Sequence, residues 1–60
     1  MTYNDMINNC VEFQVAVHLC YYDYDTDERI EGNVEELGNK EIRYMYTEDN
    51  EIYIEVEMEY

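Results

Sequence analysis

The sequence predicts an α+β fold, a small antiparallel β-sheet of three or four strands with one short helix, and three observations carry that prediction. Over residues 11–21, Val11, Phe13, Val15, Val17, Leu19 and Tyr21 alternate with Glu12, Gln14, Ala16, His18 and Cys20. A second alternation occupies residues 42–58 and is broken by the polar stretch Thr47-Glu48-Asp49-Asn50. Between the two, Asn33-Val34-Glu35-Glu36-Leu37-Gly38 carries the start and stop signals of a helix of one or two turns.

Taken in order, Asn4-Asp5 offers a cap for one turn bearing Met6 and Ile7, which Asn8-Asn9 would end. The alternation that follows has a period of two, the mark of a strand with one buried face. Residues 23–28 have the polarity of a loop, and Arg29-Ile30-Glu31 is expected to return as a short strand against the first. Asn33 suits an N-cap, Glu35 and Glu36 lie in the first turn where the helix dipole favours acids, and Gly38 suits the stop. Ile42, Tyr44 and Tyr46 alternate with Glu41, Arg43 and Met45; Ile52, Ile54, Val56 and Met58 alternate with Tyr53, Glu55, Glu57 and Glu59. These read as a hairpin, apolar on one face, with a polar turn of about four residues.

Sixty residues make a single domain, residues 1–60, and so short a chain hides only ~60% of the surface its unfolded form exposes. Sixteen acids against three basic side chains leave a net charge of −13, whose self-repulsion opposes compaction. A homodimer is the expected remedy. Eight tyrosines and an apolar fraction of 47% argue for a folded chain rather than a disordered acidic one. Cys10 and Cys20 flank the first strand, which holds them too far apart for a bridge, so both are expected as reduced, partly buried thiols. The first residues lack the basic and apolar regions of a leader, and no apolar run approaches the ~18 residues of a membrane span, so the expected location is cytoplasmic.

Catalysis has little material. The chain has one histidine and no serine, and His18 falls on the alternate face of a strand. Its many carboxylates offer no pair whose environments would split their pKa values, so no enzyme and no cofactor are expected. Asp23-x-Asp25-x-Asp27 resembles the opening of a calcium loop. It then departs from it, with Glu28 where the loop needs glycine at its sixth position and Val34 where it needs glutamate at its twelfth. A solvated acidic turn without a dedicated metal site is the expectation.

The charge itself is more informative. Side chains two apart on a strand lie ~6.6 to 6.8 Å from one another, so Glu51, Glu55, Glu57 and Glu59 are expected to form a row of carboxylates interrupted by Tyr53. DNA carries one phosphate per ~3.4 Å of axis on each strand. A single row is therefore too sparse to imitate it, and a second is required, from Asp23, Asp25, Asp27, Glu28, Glu31, Glu35 and Glu36 or from another subunit. Like charges side by side on a sheet cost stability, so a row of one sign argues that the field has a use. Tyrosine-rich surfaces among acids repel phosphate and suit a basic protein partner rather than nucleic acid.

The order Asn4-Asp5, Met6-Ile7, a strand, an Asp-rich turn, and Val34-Glu35-Glu36-Leu37-Gly38-Asn39 leading into Glu41-Ile42 resembles that of the very small uracil-DNA glycosylase inhibitors of phi29-like bacteriophages. That resemblance implies an acidic homodimer, in the cytoplasm of an infected bacterium, which fills the glycosylase's DNA groove while an apolar pocket receives a leucine of the enzyme. The chain departs from the family in having Val34 and Leu37 where the family's helix presents aromatic side chains. The expected function is therefore that of a DNA-mimic inhibitor of a host DNA enzyme, with the acids above and Tyr53 facing the partner and Val34, Leu37 and Tyr44 forming a short-range apolar anchor. An anti-CRISPR protein blocking the DNA channel of a CRISPR effector is the alternative within the same physics. A small calcium-responsive or structural interaction module is the alternative of another class.

Overall fold

Thr2 opens the first element. The computed structural model describes residues 1–58, and in it the Thr2 hydroxyl accepts from the Asp5 N–H at 3.1 Å while the Asp5 carboxylate accepts from the Thr2 N–H at 3.0 Å. This reciprocal cap starts helix α1, Tyr3–Asn8, two residues before the expected Asn4-Asp5 start. The Thr2 N–H also holds the Asp5 carboxyl below its ordinary pKa. Beyond the helix the chain reverses at Cys10, which adopts a left-handed φ of 62°.

Strand β1 is Val17–Asp23, so the strand expected from residue 11 begins six residues later. The reason lies in its neighbours. On one side β2, Glu28–Gly32, ends opposite Leu19, and on the other β4, Glu51–Val56, starts beside Val17 with the Ile52 N–H donating to the Ala16 carbonyl at 3.0 Å. Residues 11–15 have the alternation of a strand but, among the described residues, no strand alongside to bond.

The first hairpin forms as expected, and helix α2, Val34–Leu37, follows it with Asn33 as its cap, the Asn33 Oδ1 accepting from the Glu36 N–H at 2.9 Å. Gly38 ends the helix at a close approach. A Cβ there would stand 2.5 Å from the Val34 carbonyl oxygen and 2.8 Å from Asn4 Oδ1. The Asn4 N–H donates to the Gly38 carbonyl at 3.0 Å and its amide donates to Asn39 Oδ1 at 2.6 Å, which joins the two helices. Strand β3, Ile42–Glu48, leads into β4 through a two-residue turn at Asp49 and Asn50, with φ of 53° and 64°. Two successive left-handed residues match the twist of a hairpin, so the strands continue through Thr47, Glu48 and Glu51 and the turn is tighter than four residues.

The sheet order is β2-β1-β4-β3, and β1 runs parallel to β4. Among the described residues the fold is α+β with four strands, within the expected three or four, but its sheet is mixed rather than antiparallel and it carries two short helices rather than one. The two most apolar strands take the centre, and the long connection through α2 returns the chain in the same direction. One face of the sheet packs Leu19, Ile54 and Val56 against Met6 of α1 and Leu37 of α2, with Val17, Tyr21, Ile42 and Ile52 around them. A register shift between Ile42 and Tyr44 places Ile42 opposite Val56 and Tyr44 opposite Glu55. The bulge turns Tyr44 and Tyr46 to the other face, away from Ile42.

Candidate protein-binding surface

Strand alternation sends His18, Cys20 and Tyr22 of β1 to the face opposite the helices, with Arg29 and Glu31 from β2, Glu51, Tyr53 and Glu55 from β4, and Tyr44, Tyr46 and Glu48 from β3. Arg29 crosses this face. From β2 its guanidinium reaches over the Tyr53 ring, 4.2 Å from the centroid, and donates to the Tyr46 hydroxyl at 3.3 Å and to the Glu48 carboxylate at 2.9 Å on β3. One side chain thus links the two edge strands, and the Tyr46 and Glu48 bonds raise its pKa further.

His18 stacks on Tyr53, ring centroids 4.7 Å apart, and Tyr53 stacks on Tyr46 at 5.8 Å, a row of three rings across the sheet. The His18 Nε2 lies 2.6 Å from Glu51 and its Nδ1 3.6 Å from Glu31. The bond to Glu51 raises the pKa of His18 against the smaller opposing effect of burial. Beneath them Cys20 has no exposed surface, its Sγ lies 3.6 Å from the Ile54 carbonyl oxygen, and burial pushes its thiol up. Cys10, by contrast, is exposed, so only one of the two expected partly buried thiols is covered, and both are free. Arg43 donates to the Tyr24 hydroxyl at 3.0 Å and lies 5.5 Å from the centre of the Tyr44 ring.

Of the expected row on the last strand, Glu51 alone has an ionic partner among the described residues. Glu51 meets His18, Tyr53 lies under a guanidinium, and Glu55 shares the open face with them. Glu57 follows the end of β4 and borders a cleft with Asn39, Lys40 and Glu41. Glu59 lies outside the described residues. Sequence reading found the acids and missed their partners, since which acid an Arg or His meets depends on strand order.

The other acids expected to face a partner lie on β2 and at its two ends. Asp23 stands directly opposite Glu28, and Asp25 and Asp27 occupy the turn between them. The Asp23 carboxylate accepts from the Asp25 N–H at 2.9 Å and Asp27 accepts from the Tyr22 hydroxyl at 3.3 Å. At the other end of β2, Glu35 and Glu36 lie on α2, with Glu31 between the two groups. Asp23, Asp25, Asp27, Glu28, Glu35 and Glu36 make no ion pair among the described residues. Because β2 is an edge strand, they form the margin of the molecule.

The apolar anchor does not assemble. Leu37 is 1% exposed and belongs to the core, whereas Val34 is exposed on α2 and Tyr44 is exposed on the opposite face of the sheet. Among the described residues no three His, Cys, Asp or Glu side chains converge on a point that could hold a metal ion. No helix among the described residues is long and apolar enough to cross a membrane. Neither family models, curated proteins nor solved structures provide a match to the chain.

Proposed function

We propose that the protein is a DNA-mimic inhibitor that presents its acidic margin to the basic DNA-binding groove of a bacterial enzyme, with uracil-DNA glycosylase the target suggested by resemblance. The observation that carries this reading is the segregation of charge. His18 and Arg29 meet Glu31, Glu48 and Glu51 on the open face, while Asp23, Asp25, Asp27, Glu28, Glu35 and Glu36 line β2 and its two ends without ion pairs among the described residues. A five-residue strand is ~17 Å long, about five phosphate steps of one DNA strand at ~3.4 Å each. β2 itself carries only Glu28 and Glu31. The acids at its two ends, Asp23, Asp25 and Asp27 on one side and Glu35 and Glu36 on the other, extend the line of charge beyond that length.

A partner held this way associates fast and in a salt-dependent manner. The test is inhibition of uracil-DNA glycosylase at increasing salt, with Asp25→Asn/Asp27→Asn/Glu35→Gln/Glu36→Gln as the variant. Inhibition that weakens with salt and falls at least ~10-fold in the variant supports the reading. Absence of any interaction at low salt excludes this glycosylase as target. The DNA channel of a CRISPR effector, also lined with basic side chains, is then examined with the same variant.

A further inference from the structure

The open face of the sheet holds one arginine of the chain itself. Arg29 lies over the Tyr53 ring, 4.2 Å from its centroid, while donating to the Tyr46 hydroxyl and the Glu48 carboxylate. Ring, hydroxyl and carboxylate are what a planar guanidinium can engage at once. One step further along β3 and β4 a ring and a carboxylate stand together again. Tyr44 and Glu55 are directly opposed, the next pair on that face after Tyr46 and Tyr53. Opposed side chains of antiparallel strands have Cβ atoms ~4.5–5.5 Å apart, within the span of one guanidinium. Tyr44 is 55% exposed, and Glu55 makes no ion pair among the described residues. Arg43 comes only to 5.5 Å from the centre of the Tyr44 ring, and it donates to the Tyr24 hydroxyl. Tyr24 in turn meets Tyr22 edge to face at 5.0 Å, so three tyrosines gather at the Glu55 end of the face.

We propose that Tyr44 and Glu55, flanked by Tyr22 and Tyr24, receive an arginine side chain of the protein partner. Charge and shape select that occupant. A chain of net charge −13 repels a phosphate, and an apolar side chain would leave the Glu55 carboxylate covered and unpaired. A lysine ammonium satisfies the carboxylate but lacks the flat surface that stacks on a ring. The Arg29 guanidinium is already committed to Tyr46 and Glu48. The Tyr22 hydroxyl bonds Asp27, so the patch adjoins the acidic margin and one basic partner can touch both. The inference rests on the partner being basic, as the inhibitor reading has it, and not on which enzyme that partner is. A contact of such short range acts on how long the complex lasts rather than on how fast it forms.

The test uses the capped peptide Gly-Arg-Gly-Arg-Gly and its lysine counterpart as probes, titrated into the full chain at low salt and followed by the NMR signals of the Tyr44 ring and the Glu55 amide. Saturable shifts at both, with the arginine peptide binding ~2- to 5-fold tighter than the lysine one, are expected. Tyr44→Leu should remove that preference and Tyr44→Phe should keep it, because the face of the ring meets the guanidinium. The variant Asp25→Asn/Asp27→Asn/Glu35→Gln/Glu36→Gln should weaken both peptides alike and leave their ratio unchanged. Shifts confined to the margin, equal affinity for the two peptides, a preference that survives Tyr44→Leu, or one lost with the margin acids instead would each overturn the inference. None of these outcomes bears on the salt-dependent inhibition that tests the inhibitor reading.

Discussion

Arg29 does more for the sheet than its place on an edge strand suggests. Its guanidinium lies over Tyr53 and bonds Tyr46 and Glu48, so that β2 is tied to β3 across two intervening strands. Lysine has one compact ammonium and cannot cover a ring while bonding two oxygens in the same plane. Arg29→Lys is therefore expected to lower the melting temperature, and Glu48→Gln to do so less; equal melting of Arg29→Lys and wild type would show the crossing to be incidental. His18 gives a pH dependence. Its folded-state pKa is raised above the ordinary ~6.5, so its stabilisation is complete below that value and is lost as pH rises through the elevated one. Thermal melts across that window should show wild type losing stability that His18→Gln does not. Leu37, almost fully buried, is expected to cost ~2–5 kcal/mol when replaced by alanine, measurable by urea unfolding.

At the scale of elements, the features legible in the sequence were local ones. Asn33 and Gly38 delimit α2 because capping needs only neighbours three or four residues away, and Asn33→Ala should cost ~1 kcal/mol in the same unfolding experiment. The acidic turn after β1 and the return of Arg29, Ile30 and Glu31 as a strand were readable for the same reason. What escaped the pattern required knowledge of neighbours. Residues 11–15 alternate as well as β1 does, yet the adjoining strands end at Ala16 and Leu19. Tyr44 and Tyr46 share a parity with Ile42, and one bulge residue moves them to the other face. Nothing in a period of two reveals that β1 and β4 run parallel. The acids of the candidate site were plain in the sequence, but which of them meet a basic side chain, Glu31, Glu48 and Glu51, follows from the strand order that brings His18 and Arg29 to the same face.

For the whole molecule, the division of charge sets both stability and binding. Asp23 opposes Glu28 with no ion pair among the described residues, and directly opposed like charges destabilise a sheet. Added salt should therefore raise the melting temperature, while the same salt weakens the partner complex. That opposition separates a functional field from one that merely keeps the chain dispersed. The most direct measurement is the glycosylase association rate for two variants that each remove carboxylates: Asp25→Asn/Asp27→Asn/Glu35→Gln/Glu36→Gln on the margin, and Glu51→Gln/Glu55→Gln on the open face. The account predicts a fall of at least ~10-fold for the first and little change for the second. Equal rates for the first variant and wild type, or the larger loss in the second, would contradict it.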